Sequence, residues 1–269
     1  MTETRIRLGG LLIDLDGTLY HGSSRIDGAD RLIAYVNEMK LPYQYVTNNS
    51  TSTAEEVAER LTGMGIPAKA SDVCTSAQAA ASYVAELAPG ASVYVIGESG
   101  LRVAMQEAGC QLTEDEQPAF VVQGIDRSMT YERMAKAVRY IRAGAVYIMT
   151  NPDLLLPTTE GFIPGAGSIG AMLQAASGRE PIIIGKPSSI LMNYSLQRLG
   201  VPSEETWVVG DNIATDIAAG KAAGCETVLV LTGLTNADNL DHYTNTAGCK
   251  PDRICVTLED LRDEMASHL

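Results

Sequence analysis

The sequence predicts an α/β protein built on a mainly parallel sheet covered by helices. Two observations carry this expectation. Short runs that are apolar on both faces of the pleat, as buried parallel strands are, alternate with segments whose apolar residues recur at helical spacing. The alternation also starts afresh partway along, so that a compact βαβαβ block of about a hundred residues sits in the middle of the chain.

The elements follow in order. Leu11-Leu12-Ile13 is the first strand, and Leu32, Ile33, Val36 and Met39 are the stripe of the helix after it. Tyr43–Val46 is the next strand. The helix beyond is opened by Ser52 or Thr53, with Glu55 or Glu56 three residues on in a capping-box pattern, and carries Val57, Leu61 and Met64. In the middle block, strands fall near Val93–Ile96, Phe120–Val122 and Val146–Met149. The helices between them carry Leu101, Val103 and Met105, then Met134, Val138 and Ile141. After Gly178 come strand Ile182-Ile183-Ile184, a helix with Leu191, Leu196 and Leu199, strand Trp207-Val208-Val209, a helix from Ile213, strand Val228–Leu231 and a short strand Ile254-Cys255-Val256.

Composition narrows the function. A chain of 269 residues that is 45% hydrophobic can bury one large or two medium cores. With 20 Lys and Arg against 33 Asp and Glu, the net charge is −13, and no basic run could displace counterions from a nucleic acid. The five cysteines are scattered, odd in number and lack a C-x-x-C pair, which fits neither a disulfide framework nor a zinc site. They read as small apolar residues in a reducing cytoplasm. The opening MTETRIRLGG lacks the features of a signal peptide, and no apolar run approaches the ~20 residues that span a bilayer, so no membrane role is expected.

Four polar signals lie just after apolar strands: Asp14-Leu15-Asp16-Gly17-Thr18, Thr47-Asn48-Asn49-Ser50, Gly185-Lys186-Pro187, and Gly210-Asp211-Asn212 with Asp216 beyond. Parallel strands share one carboxyl edge, where ligand crevices form, so four distant segments can converge there. Asp14, Asp16, Asp211 and Asp216 would crowd several carboxylates, and like charges that close call for a cation. Mg²⁺, a hard ion that takes carboxylates, water and phosphate oxygens, suits them. Lys186 adds positive charge, and Thr47 and Asn48 add hydrogen-bond donors. Together these would position and neutralise a phosphoryl group.

These segments resemble, in order, the four motifs of the haloacid dehalogenase (HAD) superfamily in its phosphatase form. Asp14-x-Asp16-Gly17-Thr18 is similar to the first, Thr47-Asn48-Asn49-Ser50 to the second, Lys186 to the third, and Gly210-Asp211-x-x-x-Thr215-Asp216 to the fourth. The insertion between the second and third, with Thr150-Asn151-Pro152-Asp153 and Pro164-Gly165-x-Gly167-Ser168, resembles the type IIA cap of the NagD-like, p-nitrophenylphosphatase-like branch. The resemblance implies a Rossmann-like, doubly wound core from 1–77 and 180–269, with an inserted α/β cap domain from 78–179 that closes over the site. It implies that Asp14 is the nucleophile and Asp16 the acid and base. Mg²⁺ would be held by Asp14, the Asp16 carbonyl and Asp211, and the phosphoryl oxygens by Thr47, Asn48 and Lys186. Asp216, Asn212 and Thr18 would stand behind these ligands, with Asn151 and Asp153 reaching the substrate from the cap.

The expected activity is Mg-dependent hydrolysis of small phosphomonoesters: sugar phosphates, nucleoside monophosphates and, artificially, p-nitrophenyl phosphate. Asp16 argues for ester hydrolysis, since superfamily members that displace halide lack that acid. A phosphotransferase or mutase, and a non-enzymatic phospho-aspartate switch of the receiver type, are the rivals. The receiver type is a single small domain without an acid two residues after its acceptor. Homo-oligomers through the cap are also implied by the resemblance. A net charge of −13 should repel anionic substrates at long range, so any attraction is expected to be local, from Mg²⁺ and Lys186. Gly165-Ala166-Gly167-Ser168-Ile169-Gly170 matches a dinucleotide fingerprint, but the segment before it, Thr158–Pro164, reads as a loop rather than the strand that fingerprint needs. His21, His242 and His268 lack metal spacing and read as surface or cap-edge residues, with His21 set apart by its nearness to Asp16.

Overall fold

A computed structural model describes residues 7–158 and 161–269. Met1–Ile6, part of the opening segment considered above, and Thr159 and Glu160 of the expected loop lie outside the described residues. The chain forms two compact units, one of Met1–Thr47, Val57–Cys74 and Lys186–Leu269, the other of Asn48–Glu56 and Thr75–Gly185.

The first unit carries the strands, in spatial order, Arg253–Cys255, Glu226–Val230, Thr206–Gly210, Gly10–Ile13 and Tyr43–Thr47, with Val73–Thr75 at the far edge. Gly10–Ile13 pairs in parallel with Thr206–Gly210 on one side and Tyr43–Thr47 on the other, with Leu12 opposite Val208 and Gln44. Numbered along the chain, the six strands run 3-2-1-4-5-6, a doubly wound order. Its direction reverses between Gly10–Ile13 and Thr206–Gly210. A crevice is therefore expected beyond Ile13 and Gly210. Both central strands are buried along their whole length, which is why their apolar runs do not alternate.

Helix Ala29–Glu38 buries Ala29, Leu32, Ile33 and Val36. Met39, expected on that stripe, caps the helix and is exposed, because Lys40 turns the chain away in a left-handed conformation (φ 54°). Thr53 and Glu56 form the predicted capping box of helix Ala54–Gly63, each accepting the other's backbone N–H. Helix Ser189–Leu199 buries Leu191, Met192 and Ser195, leaving Leu196 and Leu199 half-buried at the margin of that face. Arg253–Cys255 is an edge strand with Cys255 inward and Ile254 exposed, and Val256 lies exposed beyond it. His268 is not a surface residue: its ring stacks edge-on against the buried Trp207, centroids 5.2 Å apart.

The second unit has its own parallel sheet, ordered Gln111–Leu112, Ser92–Ile96, Phe120–Gln123, Val146–Met149 and Ile182–Ile183, which is 2-1-3-4-5 along the chain. Helices Tyr131–Arg142 and Ala166–Ser177 cover it with Met134, Ala137, Ile141, Ile169 and Leu173. Residues 48–56, 75–77 and 180–185, read from sequence as core, group with this unit. Hydrogen bonds account for the first of these: Asn151 Nδ2 donates to the Asn48 carbonyl (2.8 Å), Thr150 Oγ1 to Ser50 Oγ (3.2 Å) and Gly100 N–H to the Thr51 carbonyl (3.0 Å).

Gly161–Pro164 is a strand and not the expected loop, paired antiparallel with Leu155–Thr158. Phe162 and Ile163 favour extended backbone, and Pro164 is tolerated because a two-stranded ribbon leaves its outer side unpaired. This hairpin belongs to no βαβ unit, so the glycine motif after it is structural. A Cβ at Gly165 or Gly167 would collide with the backbone carbonyls of Asp153 or Pro152.

Candidate active site

Asp14 follows directly on Ile13, and Asp211 on Gly210, so the two central strands deliver them to one edge of the sheet. Register is fixed at that point by the Asp14 N–H, which donates to the Val209 carbonyl at 2.8 Å. Asp216 comes from the wide turn Ile213–Ile217, where Ala218 N–H bonds the Ile213 carbonyl five residues back, a geometry frequent at functional sites. Asn212 caps that turn, its side-chain oxygen accepting from Ala214 N–H at 2.9 Å. Among the described residues, Asp14, Asp211 and Asp216 each bring a carboxylate oxygen within 4.8 Å of the others.

Lys186 is buried among them, 3% exposed. Its ammonium pairs with Asp14 Oδ1, donates to Asp216 Oδ1 at 2.6 Å and reaches the Val46 carbonyl at 3.4 Å. Thr18 Oγ1 donates to the other oxygen of Asp14 at 3.2 Å. Asp216 is engaged at both oxygens, by Lys186 and by Asn212 N–H at 3.1 Å.

One lysine does not neutralise three carboxylates. Burial, then the charges of Asp216 and Asp211, hold the Asp14 carboxyl well above its usual value despite Lys186. Burial and the Asp216 charge push Asp211 up to about 6. Burial alone would lower the Lys186 ammonium, but Asp14 and Asp216 outweigh it and keep it protonated. An all-oxygen donor set with surplus negative charge fits a hard divalent cation.

Asp16 projects from the turn beyond Asp14 and is exposed, and its carboxylate is not in the three-member cluster. Partial withdrawal from water raises its pKa, against the opposing pull of His21, the Gly22 N–H and Arg60. Thr47 ends its strand in the first unit, half-buried. Asn48 belongs to the second unit, where its Nδ2 donates to Asp153 Oδ2 at 3.1 Å. Asn151 is engaged at both ends of its amide, donating to the Asn48 carbonyl and accepting from Asp153 N–H at 3.2 Å.

The loop Leu231–Thr235, after strand Glu226–Val230, is the part of the site that sequence reasoning missed. Leu234 N–H donates to Asp211 Oδ2 at 2.6 Å and Thr235 N–H to the Asp211 carbonyl at 3.2 Å. Glycine is required at Gly233, where any Cβ would run into the Asp211 carboxylate. Gly17, at φ 89°, is set against that same carboxylate. Thr232-Gly233 just after an apolar strand is the kind of signal that exposed the other four segments, and would have found it.

Comparison with known proteins agrees with this geometry. Residues 11–111 match the model of a haloacid dehalogenase-like hydrolase family and residues 183–261 that of a HAD-hydrolase-like family. An acid sugar phosphatase from Staphylococcus aureus is 46% identical over 231 residues, 86% of this chain and 89% of the relative. A p-nitrophenyl phosphatase from Archaeoglobus fulgidus superposes with a TM-score of 0.91 at 36% identity, covering 96% of this chain and 99% of that one. A glycerol phosphate phosphatase from Mycobacterium tuberculosis, solved in complex with magnesium, gives 0.88 at 35% identity over 97% and 78% of the two chains. The chain belongs to the haloacid dehalogenase-like hydrolase family, and to the phosphatases within it. Among the described residues, no helix is long and apolar enough to cross a membrane.

Proposed function

We propose that this protein hydrolyses small phosphomonoesters, sugar phosphates first among them, through an aspartyl-phosphate on Asp14 and with Mg²⁺ as cofactor. The observation that carries this reading is the buried Asp14–Asp211–Asp216 cluster around Lys186 at the reversal of the sheet. The sugar-phosphate assignment is supported by the relative named for that activity. Asp14, Asp211 and the Asp16 carbonyl would hold Mg²⁺, which when bound neutralises charge on the phosphoryl oxygens.

The chain's own groups do the rest. Thr18 and Lys186 orient the Asp14 carboxylate for attack on phosphorus, and Lys186 offsets the charge that gathers there. Asp16, with its raised pKa, protonates the departing oxygen. It then takes a proton from the water that cleaves the aspartyl-phosphate, regenerating Asp14 and releasing phosphate. Thr47 and Asn48 are read as donors to the phosphoryl oxygens, and Asp153 as the second unit's substrate contact. The five free cysteines, four of them buried, support a reducing cytoplasmic setting.

The test is phosphate release from a panel of sugar phosphates, nucleoside monophosphates and p-nitrophenyl phosphate, with Mg²⁺ and with excess EDTA. Metal-dependent release led by a sugar phosphate is expected. Full activity in EDTA contradicts the metal assignment, and transfer of the phosphoryl group to an added alcohol in place of water would make the enzyme a phosphotransferase.

A further inference from the structure

We propose that His21 and Thr232 form a latch that positions Asp16 for proton transfer to the leaving group, an inference that rests on the reading of Asp16 as the general acid. Asp16 lies at the base of a small hairpin, Tyr20–His21 against Ser24–Arg25. The Gly17 N–H donates to the Tyr20 carbonyl at 2.8 Å, and Asp16 itself forms a β-bridge with Tyr20. The hairpin therefore carries the acid. It is only two residues wide on each strand, too short to hold itself still in water.

Arg25, on its second strand, donates to the Met64 carbonyl at 3.2 Å, and the first strand, next to the acid, is held by a residue more than two hundred positions away. Thr232 Oγ1 donates to the Gly17 carbonyl at 2.9 Å, next to Asp16. The Thr232 carbonyl lies 2.7 Å from His21 Nε2. A carbonyl can only accept, so Nε2 carries the hydrogen and the imidazole donates. One threonine thus ties the chain at Gly17, the residue after the acid, and at His21 in the hairpin. The residues that follow it, Gly233 and Leu234, are set against the Asp211 carboxylate. A single loop in this way sets the acid in register with the carboxylate cluster.

The latch acts on one event. As the Asp14 oxygen bonds to phosphorus, the ester P–O bond breaks and its electron pair goes to the bridging oxygen, which takes the Asp16 proton. A sugar alkoxide needs that proton to leave, whereas p-nitrophenolate is a stable anion and leaves almost without it. Loosening the acid must therefore slow sugar phosphates selectively. Damage to the metal carboxylates or to the fold must slow both substrates alike.

The experiment compares kcat/KM for a sugar phosphate and for p-nitrophenyl phosphate, since that ratio reports the steps through phosphoryl transfer. His21→Phe and Thr232→Val are each expected to lower the sugar-phosphate value about tenfold and the p-nitrophenyl value less than about twofold. His21→Gln and Thr232→Ser, which keep the donors, are expected to restore the sugar-phosphate rate. Equal losses on both substrates, or no loss on either, overturn the latch. Asp16→Asn is the control: it should cost the sugar phosphate about 10³-fold and p-nitrophenyl phosphate far less. If Asp16→Asn shows no such selectivity, the reading of the acid itself fails. If it does while the His21 and Thr232 variants do not, only the latch falls.

Discussion

The two units are built on the same plan and differ in how they treat charge. Each has a doubly wound parallel sheet with acidic residues just past the strands where the order reverses. In the second unit those acids are neutralised one for one. Asp126, 1% exposed beyond strand Phe120–Gln123, pairs with Arg133 at 2.6 Å and accepts from the Ser128 N–H and hydroxyl. Glu98, beyond strand Ser92–Ile96, takes both oxygens to Arg127, at 2.8 and 3.0 Å. In the first unit three carboxylates face one lysine. A shared architecture does not give a shared function; the surplus of negative charge is what distinguishes the sheet edge that calls for a cation and a phosphoryl group from the one that is internally closed.

The comparison can be broken from either side. Asp14→Asn should reduce phosphate release by about 10⁴-fold or more, because it removes the carboxylate proposed to take the phosphoryl group. Lys186→Ala should cost about 10²- to 10³-fold in kcat by removing its ammonium from the cluster. In the second unit the acids should matter for folding and not for chemistry. Asp126→Ala removes the carboxylate partner of Arg133, whose guanidinium keeps its bond to the Val95 carbonyl, and should lower stability by about 3 kcal/mol in denaturant unfolding, with the folded fraction keeping its turnover. A loss of turnover beyond the loss of folded protein would mean that the second sheet's edge also takes part in the reaction.

The smallest effect concerns a carboxylate remote from both sheet edges. Partial burial raises the Asp252 carboxyl, but Lys221 and the Thr227 N–H and hydroxyl outweigh this and hold it below its usual value. A lowered carboxyl contributes stability above its unfolded pKa and loses it as pH falls through the folded one. Asp252→Asn should therefore cost under about 1 kcal/mol near neutral pH, the pair being a third exposed, and the difference from wild type should shrink as pH falls below the ordinary carboxylate range and vanish only below the lowered folded value. A difference that grew on acidification would reverse the sign of that interaction.

Much of this was legible in the sequence, for physical reasons. Fully buried parallel strands cannot alternate, so Leu11-Leu12-Ile13 and Trp207-Val208-Val209 announced the central pair, and the acids beyond them fell where such sheets open. Periodicity failed where an element was short or at an edge. Val73–Thr75, Gln111–Leu112 and the Tyr20–Arg25 hairpin hold too few residues to show a period. The grouping of Asn48 with Asn151 and Asp153 depends on hydrogen bonds across more than a hundred residues, which no local pattern encodes. Thr232-Gly233 carried the same local signal as the other segments, a polar pair just past an apolar strand, but the two partners of Thr232 at Gly17 and His21 lie more than two hundred residues away and only the fold shows them.

The most direct measurement is to trap the intermediate. Asp16→Asn enzyme mixed with p-nitrophenyl phosphate and Mg²⁺ keeps the nucleophile and the easy leaving group but lacks the base for hydrolysis. It should show a burst of nitrophenol equal to the enzyme present, and peptide mass analysis after acid quench should find one phosphoryl group on Asp14. No burst with the phosphoryl group absent from Asp14, or the group found on another residue, would contradict the assignment of Asp14 as nucleophile.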